Sequence, residues 1–127
     1  MSKSLQNSIE VDVRTAYVEG QSNPAEDHYV FAYTITIRNT GDNAARLISR
    51  HWLITDADGE VQEVFGEGVV GQQPFLRPGE DFSYTSGTTL PTPVGTMQGS
   101  YQMQTEAGDH FEAVIAPFRL ALPHILH

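Results

Sequence analysis

The sequence predicts an all-β chain, a fibronectin type III-like or immunoglobulin-like antiparallel β-sandwich of about seven to eight strands. Apolar residues alternate with polar ones in short runs along most of the chain, as in strands with one buried face. Turn residues separate the runs, with 11 Gly and 7 Pro among 127 residues. No stretch longer than one turn shows the spacing of an amphipathic helix.

The elements follow in chain order. Ile9, Val11 and Val13 alternate with Glu10, Asp12 and Arg14. From Tyr29 to Asn39, Phe31, Tyr33, Ile35 and Ile37 share one face and Thr34, Thr36 and Arg38 the other, before Asn39-Thr40-Gly41-Asp42-Asn43 breaks the strand. The next strand, Arg46 to Thr55, is apolar on both sides, with Ile48, Trp52 and Ile54 opposite Leu47 and Leu53. Such a strand is either covered on both faces or bulged so that its side chains are re-aimed. Asp56-Ala57-Asp58-Gly59 supplies a hairpin turn, and Val61 to Phe65 returns. A loop-like stretch follows, from Gly66 through Gln73-Pro74 to Arg77-Pro78-Gly79-Glu80. Asp81 to Thr88 is a hydroxyl-rich edge strand carrying Phe82 and Tyr84, and Leu90 to Gly95 is a stiff connection. Met97, Gly99, Tyr101 and Met103 alternate along the next strand. After Ala107-Gly108-Asp109, a last strand carries Phe111, Ala113 and Ile115, with Pro117 interrupting it before an edge continuation from Phe118 to Leu122. The predicted core contains Phe31, Tyr33, Ile35, Trp52, Tyr101 and Ile115. The chain reads as one domain, residues 1–127, with loose ends at about 1–8 and 123–127.

Composition narrows function. The net charge of -9 disfavours nucleic acid and anionic membrane surfaces as partners. The chain has no Cys, which excludes disulfides, thiolate nucleophiles and Cys-ligated metal centres. The start, MSKSLQNSIEVDV, lacks an apolar stretch of signal-peptide length, and no run approaches a membrane span. The expectation is a cytoplasmic, monomeric protein.

Four patterns invite a chemical reading. Gly66-Glu67-Gly68-Val69-Val70-Gly71 is a literal GxGxxG, whose glycines in a dinucleotide fold admit a pyrophosphate at a helix N-terminus. Here Pro74 follows too soon for a helix and Glu67 places a negative charge in the cradle, so a loop that needs positive φ or close backbone packing explains the glycines better. Asp56, Asp58, Glu60, Glu63 and Glu67 form an acidic run, and the first three are weak candidates for a divalent cation. Val61 stands where a calcium loop requires glycine, which favours a hairpin with an acidic solvent face. His28, His51, His110, His124 and His127 form no HxH or HxxxH pair, so no metal site is predicted. The hydroxyls from Ser83 to Thr89 lack the strand-to-helix elbow of a hydrolase nucleophile, and no catalytic residue is predicted.

Several blocks together resemble a known family. Arg50-His51-Trp52-Leu53-Ile54-Thr55-Asp56 precedes the glycine loop with Gln73-Pro74; Tyr84-Thr85-Ser86-Gly87 follows, then Thr92-Pro93-x-Gly95-x-Met97-x-Gly99-x-Tyr101-x-Met103. In order and spacing they resemble the bacterial ApaG family, also called CorD, from about Ser4 to Leu122. The resemblance implies a fibronectin type III-like sandwich without known catalytic activity or cofactor. It also implies a relation to protein-interaction modules in some eukaryotic F-box proteins and in a DNA-polymerase-interacting protein. The family's genetic association is with cobalt resistance and magnesium efflux.

The expected function is therefore a non-enzymatic protein-binding module. The alternative is a small-ligand module that holds a pyrophosphate-containing nucleotide or a divalent cation through Gly66, Gly68, Gly71 and the acidic hairpin. The glycine loop discriminates between them, since amides bonded internally are not available to a phosphate. For a protein partner, the expected surface is Leu47, Arg50, His51 and Leu53, where apolar side chains lie beside a guanidinium.

Overall fold

The computed structural model of the protein describes residues 8–123. The chain runs β1 (Ile9–Tyr17), two short 3-10 turns (Glu19–Gln21 and Pro24–Glu26), β2 (Tyr29–Asn39), β3 (Ala45–Asp56), β4 (Val61–Glu67), β5 (Phe75–Leu76), β6 (Asp81–Leu90), β7 (Val94–Thr105) and β8 (His110–Ala121). All pairings are antiparallel. A small sheet has the order β1-β2-β6; a large one has the order β4-β3-β7-β8, with β5 beside β3. This is the predicted sandwich.

The alternation seen in the sequence sorts each strand between core and solvent. Phe31, Tyr33, Ile35, Trp52, Tyr101 and Ile115 are all buried, as predicted. The ring of Trp52 meets those of Tyr33, Tyr101 and Phe118 edge-on or near it, an arrangement favoured by the ring quadrupole. Each such buried side chain contributes about 1.5–3 kcal/mol through area removed from water.

Two bulges adjust the large sheet. In β3 the register shifts between Leu47 and Ser49, so Ile48 is the extra residue. Ala45 and Leu47 before it, and Trp52 and Ile54 after it, all point into the core. The doubly apolar strand is thus bulged, and Leu47, expected near the surface, is 0% exposed. That corrects its place on the partner surface: the extra residue at Ile48 moves it to the core face. In β8 the register shifts opposite Met97 to Gly99. Pro117 lies there and the strand continues to Ala121, because a bulge on an edge strand tolerates the missing N–H.

The two-residue β5 is held by a buried side chain. Asn39 donates from Nδ2 to the carbonyls of Asn43 (2.8 Å) and Leu76 (2.9 Å), and its Oδ1 accepts the Gly41 N–H (2.9 Å). At the start of the described chain, Ser8 is buried and its carbonyl accepts the Thr40 N–H at 2.7 Å. It is thus packed against the body. The rest of the predicted loose N-terminus, and His124 and His127, lie outside the described residues. No helix among those residues is long and apolar enough to cross a membrane.

Candidate functional site

The four residues of the predicted partner surface separate. Leu47 is in the core. Arg50 pairs with Tyr101 in β7 and Gly66 in β4, and its guanidinium lies against Gly66, where a Cβ would come within 2.6 Å of Cζ. From there Nη1 donates to the carbonyls of Glu67 (3.0 Å) and Gly68 (2.8 Å). Arg50 is therefore a clasp for the glycine loop rather than a surface charge. Only His51 and Leu53 face outward.

Those two sit in the middle of the large sheet's outer face. The hairpin register sets Phe65 beside His51 and Glu63 beside Leu53. The His51 and Phe65 rings stack at 4.2 Å with 5° between their planes, and His51 Nε2 meets Glu63 Oε2 at 2.6 Å. Phe65 is nevertheless 71% exposed and Val114, at the far end of the same cross-strand row, 61%. Between them His51, Leu53, Gln98, Val114 and Pro117 surround a shallow depression of about 230 Å³. Phe65 and Val114 were not singled out in the sequence. Phe65 faces His51 because the turn closes Asp56 on Glu60, with three residues between them; a turn one residue shorter would set Val64 there.

The glycine loop is a second, tighter hairpin. The Val69 and Gln72 amides exchange hydrogen bonds with each other's carbonyls (2.8 and 2.9 Å), and Gly68 N–H donates to Ile48 at 2.8 Å. The two central residues, Val70 and Gly71, have φ of 43° and 81°, the sign pattern of a type I′ turn. Gly68 sits at φ 60°, and a Cβ there would lie 2.3 Å from the Gln72 carbonyl oxygen. Each glycine of the GxGxxG thus has a packing or backbone reason. The amides of Gly68, Val69 and Gln72 are bonded within the fold, and β5 rather than a helix follows, so the nucleotide alternative lacks the cradle it needs.

The acidic hairpin is organised by its own backbone. Asp56 Oδ1 accepts the amides of Asp58 (2.8 Å) and Glu60 (3.1 Å), and Gly59 adopts φ 85° to close the turn. Among the described residues, no three His, Asp or Glu side chains converge as a metal site requires. Two hydroxyls of β6 are paired across the small sheet, Ser83 with Thr36 at 2.7 Å and Thr85 with Thr34 at 2.8 Å.

Between the sheets, the Tyr84 and Tyr101 hydroxyls hydrogen-bond to each other. Burial pushes Tyr84 up to about 12, partly countered by that hydrogen bond. Tyr101 is also raised, by burial first and then by Tyr84 beside it. Both stay neutral over the physiological range and act as a polar tie between the layers.

Comparison with known proteins agrees with this architecture. The family model described as "ApaG domain" matches residues 19–105. A protein named ApaG from Azoarcus sp. (strain BH72) is 64% identical over 127 residues, covering 100% of both chains. A crystal structure of a Northeast Structural Genomics Consortium target has TM-score 0.92 and 55% identity, covering 98% of this chain and 94% of its own. A crystal structure described as the putative ApaA protein from Bordetella pertussis has TM-score 0.90 and 56% identity, covering 92% and 95%. The chain belongs to the ApaG family.

Proposed function

We propose that this protein is a non-enzymatic module that binds another protein through the outer face of its large sheet. The observation that carries the reading is the exposed His51–Phe65 stack with Leu53 and Val114 beside it. Apolar and aromatic side chains clustered on a rigid sheet, with a polar rim, have the composition of an interface centre. Gln98, Glu112 and Glu63 supply that rim, while Ser100 is buried between His51 and Val114 in the same row. The internal bonding of the glycine loop, and the pairing of the Ser83 and Thr85 hydroxyls with β2, favour this reading over a ligand site or a nucleophile. On this reading the family's association with cobalt resistance and magnesium efflux runs through a partner.

The test is capture from native lysate by the wild-type chain and by a Leu53→Ser/Phe65→Ser variant. Loss of the captured protein with the thermal midpoint kept supports the reading. Equal capture by the variant removes it.

A further inference from the structure

Resting on that reading, we infer that the partner docks as an added β-strand, an extended segment of another protein that alternates apolar with basic residues, on the free edge of β4. Among the described residues β4 pairs only with β3. The bonds at its two ends, Asp56 N–H to Glu60 and Gly68 N–H to Ile48, put the even-numbered residues of the ladder on the β3 side. The amides and carbonyls of Val61, Glu63 and Phe65 therefore point away from the sheet. Arg50 reaches the Glu67 and Gly68 carbonyls, which closes the edge at that end and leaves the Val61-to-Phe65 stretch open.

Sheet proteins blunt such edges with charged side chains, Lys above all, with Pro or with a bulge. The charges on β4 are acidic only, which repels acidic strands and leaves it open to basic ones. β4, VQEVFGE, has no Lys or Pro, and its register to β3 is unbroken. Val61, Val64 and Phe65 are all exposed along it, so apolar side chains stand on both faces of the edge.

Charge selects the occupant. From Asp56 to Leu76 the chain holds Asp56, Asp58, Glu60, Glu63 and Glu67 and no basic residue. A second copy brings its own -9 and the same acidic strand, whereas a basic strand meets the complementary carboxylates of Glu60, Glu63 and Glu67 along the edge. The free edge of β6 lacks both properties, since it carries paired hydroxyls and the Arg38–Asp81 ion pair.

The test uses the isotope-labelled full chain and three short synthetic peptides. One alternates Val with Lys, and one alternates Val with Glu. The third is the Val–Lys peptide with N-methyl groups on the amides that would face β4. The Val–Lys peptide is expected to give saturable shifts and at least about tenfold slower hydrogen exchange at Val61, Glu63 and Phe65, weakening with salt. The other two peptides are expected to give neither, and Glu63→Lys is expected to reverse the preference toward the Val–Glu peptide. Equal binding of the N-methylated peptide, protection at β6 instead, or no response to the Val–Lys peptide overturns strand addition. So does protection of the same amides by raising the protein concentration alone, which makes a second copy the occupant. If lysate capture still depends on Leu53 and Phe65 while no peptide protects β4, strand addition falls and the protein-binding reading stands. If the Val–Lys peptide protects β4 while capture ignores Leu53 and Phe65, strand addition stands and the outer face is not the docking site.

Discussion

On the small sheet's outer face, Thr34 meets Thr85, Thr36 meets Ser83 and Arg38 meets Asp81, each polar group answered by the strand beside it. On the large sheet's outer face, His51 and Phe65 stack in the open, with Leu53 and Val114 alongside. Both faces sit on twisted antiparallel strands over one shared core, so backbone geometry does not separate them. What separates them is whether a face's side chains satisfy one another. Two hydroxyl pairs and an ion pair are closed within the molecule, while the aromatic row leaves large apolar area in water. The cost of that area, about 25 cal/mol per Å², is recovered only when something covers it.

The largest effect tests where β3 changes face. Leu47→Ala should cost about 2–5 kcal/mol because it leaves a cavity in the core. Leu53→Ala, six positions on and facing outward, should cost under about 1 kcal/mol. Denaturant unfolding of both variants checks this, and equal losses would mean that the bulge at Ile48 does not divide the strand.

Next in size is the tie between the layers, Tyr84 on the small sheet and Tyr101 on the large. The folded Tyr84 hydroxyl ionises near 12 and an unfolded one near the ordinary 10.0. The folded state therefore holds its proton more tightly. The stability from this group is fully present below pH 10 and is lost as pH rises from 10 toward 12, at up to about 1.4 kcal/mol per pH unit per tyrosine. Unfolding free energy followed from pH 8 to about 11.5 should bend downward near 10. Tyr84→Phe should flatten that bend.

A smaller effect is expected at the join between β4 and its loop. Arg50→Ala removes two hydrogen bonds from a charged donor, and Gly66→Ala pushes the same guanidinium aside. Each should cost about 1–3 kcal/mol. Because both break one contact, the double variant should lose little more than the larger single loss, which a thermodynamic cycle measures. Full additivity would separate Arg50 from Gly66.

The smallest effect has the opposite sign. Val70 is β-branched and holds φ 43° at an exposed turn, a position that suits Asn or Gly. Val70→Asn should stabilise the chain by about 0.5–1 kcal/mol. A loss on thermal unfolding would show that the Val70 side chain makes a contact worth more than its strain.

Much of the fold was legible because it is written in local alternation. β2 from Tyr29 to Asn39, the Asp56 to Gly59 turn and the six named core residues all follow from a period of two and from turn chemistry. What escaped depended on tertiary placement. β5 is two residues long and exists through the buried amide of Asn39, which as sequence reads only as a turn residue. A bulge in β3 was one of the two readings its doubly apolar sequence allowed, but its position at Ile48, which turns Leu47 inward, was not legible. Arg50 was expected on the partner surface because its inward path exists only when Gly66 is its cross-strand neighbour. Half of the candidate surface, His51 and Leu53, was legible; Phe65 and Val114 complete it by pairing across strands.

The most direct test of the docking face is site-specific photo-crosslinking in living bacteria. A benzophenone amino acid replaces Phe65 in one variant and Thr85 in another, so that each outer face is reported separately. The account predicts a discrete protein adduct from position 65 and none from position 85. An adduct at position 85 alone, or no adduct at position 65 from a folded chain, would contradict it.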